Sequence, residues 1–189
     1  MEIQVKKLSE ELLEDFLYFF DEKAFLDNPE WGHCYCLFFH YNGSEADWLK
    51  RTKKENRQDA IQLIKSGQLQ GFLAYENNVP IGWCNANEKS KFSFNLNRSQ
   101  VYGSEDQDTI SIVCFVIAPE YRRKGVSTKL LNFIIEYYQN TNKKYLEAYP
   151  ANNAAKDCEN YHGPVSLYQK NNFQIIKELE DYSIMRLKL

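Results

Sequence analysis

The strongest constraint on the fold is the window 110–135, where a buried strand leads through a basic turn into a helix. Residues 109–118 form the most β-branched run of the chain and include its longest apolar stretch, which predicts a central strand. Pro119 ends this run, and Gly125 precedes apolar residues at helical spacing: Val126, Leu130, Leu131, Ile134 and Ile135. Because these residues share one face, the window predicts a sheet with an amphipathic helix packed on it.

The turn in this window has the properties of an anion site. The first amides of a helix lack internal partners, and the helix dipole adds partial positive charge at that end. Gly125 would let a phosphate approach the backbone closely, and Arg122, Arg123 and Lys124 have the appropriate charge. A basic turn before an ordinary amphipathic helix would look the same, so these residues alone leave phosphate binding open.

The remaining pattern predicts an α/β chain in which strands and helices alternate in the second half. Strands are predicted at 2–6, at 70–75 and 79–86 around a turn at Asn77 and Asn78, and at 144–149, 173–178 and 182–189. Helices are predicted behind Ser9 as N-cap, once or twice within 44–65, and at 165–170, with 26–41 irregular and loops over 89–108 and 152–161. We expect a single domain over 1–189, helical over 1–68 and sheet-forming over 69–189.

Charge and hydropathy argue against two large classes of protein. The chain has 23 Lys and Arg against 26 Asp and Glu, a formal charge of -3, so a nucleic-acid partner is not expected. The basic residues within 50–57 alternate with acidic ones and predict a solvated helix face. The apolar run 112–118 falls far short of the roughly 20 residues that cross a bilayer. With acidic residues where an export signal would be apolar, we expect no membrane association and a cytoplasmic location.

The five cysteines are scattered and odd in number, which predicts reduced thiols. Four potential soft ligands lie close together in sequence: His33, Cys34, Cys36 and His40. The C-x-C spacing is shorter than zinc sites normally use, so we predict no metal. A cysteine nucleophile paired with His33 stays open for Cys34, Cys84 or Cys114, although Cys114 lies in the apolar run and is expected to pack as a small hydrophobe.

Two motifs resemble those of the GNAT superfamily of acyl-CoA-dependent N-acyltransferases. Residues 117–127 read IAPEYRRKGVS, which is similar to the family's acetyl-CoA motif, roughly V-x-P-x-Y-R/Q-x-x-G-x-G/A, with Ser127 in place of the last Gly or Ala. Residues 167–173 read LYQKNNF, similar to L-Y-x-x-x-G-F, with Asn172 in place of Gly. Asn enters the left-handed region readily and suits a helix C-terminus. The resemblance covers 69–189 well, and the N-terminal part is less specifically similar to a bacterial subgroup.

The resemblance implies an α/β (α+β) fold with a mixed, mostly antiparallel sheet of about six or seven strands flanked by helices. Two central strands, ending near Ala118 and Tyr149, would splay and leave a slot for acetyl-CoA. The backbone of Phe115 and Ile117 would pair with pantetheine like an added strand. The loop Arg122, Arg123, Lys124, Gly125, Val126 and Ser127 would bind the pyrophosphate, and we do not find the Asn that the family often places near Tyr161.

The implied reaction moves an acetyl group directly from acetyl-CoA to a primary amine, which we expect to belong to a small molecule. Tyr168 falls on the family position that protonates the departing CoA thiolate. Glu147, on the strand beside the slot, could accept the amine's proton through water, or could be a solvated carboxylate. Aromatic residues are candidates for the acceptor pocket or, equally, for the core: Trp31, Tyr35, Phe38, Phe39, Trp83 and Tyr149.

Three other interpretations stay open. The chain could be a catalytically silent protein that binds or senses acyl-CoA, or an acetyltransferase acting on a peptide or protein amine. It could also be a metal or thiol-redox protein that uses His33, Cys34 and Cys36. A homodimer stays open as an assembly.

Overall fold

The chain builds one seven-stranded sheet in the computed structural model, which describes residues 2–93, 108–154 and 160–189. The strands are β1 Gln4–Lys7, β2 Phe72–Glu76, β3 Val79–Glu88, β4 Thr109–Ile117, β5 Tyr145–Ala148, β6 Gln174–Glu178 and β7 Ser183–Lys188. They lie in the order β1-β2-β3-β4-β5-β7-β6, and only the β4–β5 pair is parallel. The predicted mixed, mostly antiparallel sheet is confirmed.

Within the described residues five α-helices flank this sheet: α1 Leu13–Glu22, α2 Glu45–Trp48, α3 Lys53–Lys65, α4 Val126–Gln139 and α5 Val165–Gln169. Short 3-10 helices cover Glu10–Leu12, Pro29–His33, Phe38–His40, Lys89–Lys91 and Pro119–Tyr121, so 26–41 has more local order than predicted. Two helices occupy 44–65 because a capping box of Thr52 and Glu55 starts the second. The predicted loops 89–108 and 152–161 lie partly outside the described residues.

The hairpin between β2 and β3 has the predicted turn. Asn77 and Asn78 are both in the left-handed region, with φ of 49° and 64°. Two consecutive left-handed residues match the right-handed twist of paired strands, and Asn tolerates that conformation better than most residues. Asn172 is left-handed as well, with φ of 63°, just after α5.

An apolar layer packs on each face of the sheet. On one face α4 contacts β2 and β3, and the ring of Tyr137 lies 5.4 Å from that of Phe72. On the other face α1 contacts β3, with Phe16 edge-on to Trp83 at 5.0 Å. The aromatic segment 31–41 joins this second layer, so the rings noted in the sequence are divided between core and cavity wall.

β5 pairs along its whole length with the first four residues of β4, from Thr109 opposite Tyr145 to Ile112 opposite Ala148. β4 continues to Ile117, beyond the end of β5. The backbone N–H of Phe115 donates instead to the carbonyl of Tyr161 at 2.5 Å. The second half of β4 is therefore not paired with β5, which opens the predicted slot at the middle of the sheet.

Candidate active site

A cavity of about 1030 Å³ extends from this slot. The end of β4 and the loop leading into α4 form one side of it, and the aromatic N-terminal segment forms the other. The side chains of Cys114 and Phe115 and the loop residues Asn160 and Tyr161 lie between these two sides. One cavity thus joins the predicted phosphate loop to a group of aromatic rings.

The loop before α4 has the backbone conformation that an anion site needs. Gly125 is the N-cap of α4 with φ of 83°, and Arg123 is left-handed with φ of 61°. A Cβ placed on Gly125 would meet no described atom within 4 Å, so the space beside its backbone is open. The first amides of a 14-residue helix adjoin that space, and their partial positive charge favours a phosphate there.

Five of the six residues predicted for this loop contact the cavity: Arg122, Arg123, Gly125, Val126 and Ser127. Lys124 instead places its Nζ 5.6 Å from the centroid of the Tyr121 ring. The Lys124 ammonium group therefore lies near the loop but beside the Tyr121 ring, and it is Tyr121 that lines the cavity.

The two backbone positions predicted to pair with pantetheine already have partners within the chain. The N–H of Phe115 donates to Tyr161, as described above. The carbonyl of Ile117 accepts a hydrogen bond from Nε of Arg122 at 3.2 Å. Both groups face the slot, so a ligand arm that pairs with β4 has to displace these contacts or lie beside them.

Tyr168 lies directly behind the cavity wall. It is fully buried, and its hydroxyl donates to the carbonyl of His162 at 2.5 Å. Gly163 and Pro164 line the cavity in front of it, and a Cβ on Gly163 would lie only 3.1 Å from that hydroxyl. Burial raises the pKa of Tyr168 well above its ordinary value, so the phenol keeps its proton at physiological pH.

Glu147 occupies a buried ion network away from the cavity. Its carboxylate accepts from Nζ of Lys89 at 2.6 Å, from Nη2 of Arg186 at 2.5 Å and from the hydroxyl of Tyr149 at 2.8 Å. That hydroxyl also lies 2.6 Å from the Oγ of Ser111. A carboxylate held by two cations and a phenol has little capacity left for an amine proton, so this location does not favour the predicted role as base.

Only part of the predicted aromatic set surrounds the cavity. Trp31, Phe38 and Phe39 line it, and the ring of Trp31 meets that of Tyr161 at 6.3 Å. The other predicted rings point elsewhere: Tyr35 donates to Asp21, Trp83 packs against Phe16, and Tyr149 binds Glu147.

Several lining residues were missed in the sequence, among them Phe20, Phe25, Asp27, Trp48 and Asn160. Phe20 and Trp48 lie in segments that the sequence had predicted only as helical. Asn160 directly precedes Tyr161, so the Asn that we did not find near Tyr161 is present and lines the cavity, which corrects that reading. Because Asn160 is the direct neighbour of Tyr161 in the sequence, the sequence alone could have identified it.

The rival metal site has no support in the described part of the chain. No group of three or more His, Cys, Asp or Glu side chains there could hold a metal ion. Nδ1 of His33 lies 2.7 Å from the carbonyl oxygen of Glu30, and its ring packs on Trp48 at 6.2 Å. None of the helices described is long and apolar enough to cross a membrane.

The model of the acetyltransferase (GNAT) family matches residues 37–173. The chain belongs to the GNAT family of acetyltransferases. No curated protein matches this GNAT chain in sequence, so the family model and the fold carry the assignment.

Solved structures agree with this family in fold. The PaiA N-acetyltransferase from Thermoplasma acidophilum, in complex with coenzyme A, is 18% identical with a TM-score of 0.58, covering 100% of both chains. An N-acetyltransferase from Staphylococcus aureus Mu50 is 14% identical with a TM-score of 0.58, covering 100% of this chain and 99% of its own. The ribosomal-protein-S18-alanine N-acetyltransferase from Escherichia coli is 13% identical with a TM-score of 0.53, covering 99% and 94%.

Proposed function

We propose that this GNAT protein transfers an acetyl group from acetyl-CoA to the primary amine of a small molecule. The observation that carries the proposal is the single cavity of about 1030 Å³, with an anion-binding helix start on one side and aromatic rings on the other. Its size lies at the upper end of the range of about 300–1000 Å³ typical of ligand pockets. It therefore has room for a cofactor arm together with a small acceptor.

The phosphate end of acetyl-CoA fits the loop before α4. The backbone of Gly125 adjoins open space where a Cβ would otherwise stand, and Arg123 and Ser127 line the same end of the cavity. The Thermoplasma acidophilum neighbour was solved with coenzyme A, which supports this ligand class. Acetyl-CoA is a substrate of the proposed reaction, and the pantetheine arm would run from Gly125 back along β4 towards Phe115.

The reaction forms a C–N bond between the neutral amine and the acetyl carbonyl carbon, and breaks the C–S bond to CoA. The departing thiolate then takes a proton, and the amine loses one to water. We assign proton donation to Tyr168, whose hydroxyl lies behind Gly163 and would turn from the carbonyl of His162 to the thiolate. The proton that the amine releases then returns through water to the Tyr168 phenolate. Holding the two substrates together in one cavity supplies the remainder of the rate enhancement.

The aromatic side of the cavity favours an acceptor with an apolar or aromatic body. Six rings of the N-terminal segments line it there: Phe20, Phe25, Trp31, Phe38, Phe39 and Trp48. Such rings bury apolar groups and attract cations on their faces. Asp27 is the carboxylate in the described cavity lining, and it is paired with Arg122. An aryl-alkyl amine therefore fits this side better than a polyamine.

The test combines binding with turnover. Acetyl-CoA should raise the melting temperature of the protein more than adenosine diphosphate does, because the arm adds contacts beyond the phosphates. CoA release is then followed with phenethylamine, putrescine or a short peptide with a free N-terminus. We expect the fastest release with phenethylamine. Fastest release with the peptide would replace the small-molecule acceptor by a peptide one, and stabilisation without any release would favour a silent acyl-CoA-binding protein.

A pair of variants tests the acceptor side. Trp31→Ala removes a ring that lines the cavity, and should lower kcat/KM for phenethylamine about tenfold through lost ring contacts while leaving acetyl-CoA binding unchanged. Tyr18→Ala is the matched control, since Tyr18 is an exposed ring on α1 outside the cavity lining. Equal effects of the two variants would contradict an acceptor pocket at Trp31.

A second pair tests Tyr168. Tyr168→Phe should lower kcat about 10- to 100-fold, as expected for loss of a general acid, with acetyl-CoA affinity kept. Tyr138→Phe is the control, because Tyr138 is a buried tyrosine of the same apolar layer. If Tyr168→Phe instead weakens acetyl-CoA binding with kcat intact, the hydroxyl positions the loop 162–164 and does not donate a proton.

A further inference from the structure

The turn that carries Cys36 has an uncommon backbone. Tyr35 and Cys36 are consecutive non-glycine residues in the left-handed region, with φ of 46° and 53°. This conformation is sterically unfavourable for residues with a Cβ and is concentrated at functional sites. The two side chains separate, since Tyr35 donates to Asp21 and Cys36 lines the cavity. The strained turn therefore brings a thiol to the cavity.

Hydrogen-bond donors surround the sulfur of Cys36. The Nδ2 of Asn85 lies 3.4 Å from Sγ and 3.3 Å from the carbonyl of the same residue. Burial disfavours the thiolate, but hydrogen bonding from the side chains of Cys114 and Asn85 favours it, and the pKa of Cys36 is lowered. A thiolate is the nucleophilic form of cysteine.

The neighbouring thiols have the opposite environment. Burial raises the pKa of Cys34 to about 12. Burial also raises the pKa of Cys84 well above its ordinary value, as does the nearby Cys36. Cys36 thus differs from Cys34 and Cys84 in the support that its anion receives. Cys84 packs in the apolar layer on the α4 face of the sheet, whereas Cys36 packs in the layer on the α1 face.

Cys36 lies in the part of the cavity that the acetyl end of bound acetyl-CoA would reach. The arm enters at Gly125 and runs back along β4 past Ile117 to Phe115. The next residue in that direction is Cys114, whose side chain hydrogen-bonds to Cys36, and both cysteines line the cavity. The end of the arm furthest from the phosphates therefore comes to the Cys36 sulfur.

We propose that Cys36 is a second acetyl acceptor in this cavity and is acetylated by bound acetyl-CoA when no amine is present; this rests on the proposed function. The Cys36 thiolate attacks the acetyl carbonyl carbon, a C–S bond to Cys36 forms, and the C–S bond to CoA breaks. CoA leaves as a thiolate, so no net proton is transferred. Because one thioester replaces another, a second CoA molecule can take the acetyl group back.

The experiment uses the intact protein with acetyl-CoA and without amine. Acid quenching followed by intact mass spectrometry should show one added acetyl group that hydroxylamine removes, and peptide mapping should place it on Cys36 and not on Cys34. Isotopically labelled free CoA should exchange into acetyl-CoA in the same mixture. Cys36→Ser should abolish both the adduct and the exchange, while Cys84→Ser, which removes a buried thiol outside the cavity lining, should keep both.

Binding is measured separately by the melting-temperature shift with acetyl-CoA. If acetyl-CoA stabilises the wild-type protein but neither adduct nor exchange is found, the Cys36 proposal is overturned and the proposed function stands. If acetyl-CoA does not bind, both fail. If Cys36→Ser does not fold, the adduct and exchange measurements on the wild-type protein still test the acetylation of Cys36. An acetyl group found on Cys34 alone would also overturn the proposal.

Discussion

Asp27 and Arg122, 95 positions apart, are joined by two hydrogen bonds at the edge of the cavity. Nη1 of Arg122 donates to Oδ2 of Asp27, and Nη2 donates to Oδ1 at 3.1 Å. The remaining guanidinium nitrogen, Nε, donates to the carbonyl of Ile117. Hydrogen bonding to Arg122 lowers the pKa of Asp27. The pair connects the N-terminal segment to the phosphate loop, and it places a negative charge beside the loop proposed to bind phosphates.

Removing that charge should strengthen cofactor binding. In Asp27→Asn the loop regains the full charge of Arg122, so we expect the Kd for CoA to fall about threefold at low salt, an effect typical of one exposed charge. Titration calorimetry at low and high salt measures it, and the gain should shrink at high salt because ions screen exposed charges. Asp47→Asn, at an exposed carboxylate paired with Lys50 on α2, should change nothing. Weaker CoA binding by Asp27→Asn would show that Asp27 positions Arg122.

Two glycines test whether the loop backbone binds the phosphates. Gly125 and Gly67 are both left-handed, with φ of 83° and 67°, and a Cβ on either meets nothing within 4 Å. Alanine at each should therefore cost the same stability, about 1 kcal/mol. Gly125→Ala should in addition weaken CoA binding at least about tenfold, because its methyl group would project into the space proposed for the pyrophosphate. Equal CoA affinities in the two variants would place the phosphates elsewhere.

The fold was largely predictable because its signals are local. The apolar run 109–118, the Asn77–Asn78 turn and the helical stripe from Val126 each depend on neighbouring residues, and each element formed where its pattern indicated. The phosphate loop was equally local, since five of its six predicted residues line the cavity.

The acceptor side of the cavity was harder to predict from the sequence, because the burial of a ring depends on which distant segments pack against it. Trp83 alternates along β3 like a lining residue, yet Phe16 on α1 covers it. Glu147 alternates in the same way on β5, yet Lys89 and Arg186 reach it from positions 58 and 39 residues away. The periodicity within one strand carries no information about side chains that reach the strand from distant parts of the sequence.

Glu147 therefore offers a direct test of its role. Glu147→Gln leaves Lys89 and Arg186 beside a neutral amide in a buried site, and loss of one partner in such a network costs about 3–5 kcal/mol. Denaturant unfolding should show that loss, and Glu178→Gln, on the exposed strand β6, should show none. A Glu147→Gln protein of unchanged stability that has lost acetyl transfer would instead support the role as base.

The stability of the fold should depend on His40 in mildly acidic solution. Burial lowers the pKa of His40 from 6.5 to about 4, and the ring packs on Phe92 at 5.0 Å while Nε2 lies 3.2 Å from Nδ2 of Asn85. Between pH 4 and 6.5 the unfolded chain binds more protons at this residue than the native chain does. The free energy of unfolding therefore rises with pH across that window, by up to about 3 kcal/mol from His40.

The contribution of His40 is isolated by comparing variants. In His40→Gln, which can still bond to Asn85, the free energy of unfolding should vary less between pH 4 and 6.5 than in the wild-type protein, and the two proteins should become parallel above pH 6.5. Gln62→Asn, an exposed and uncharged change on α3, serves as the control and should leave the slope unchanged. Urea unfolding at half-unit pH intervals gives both slopes, and identical slopes for wild type and His40→Gln would show that His40 is protonated in the native protein at mildly acidic pH.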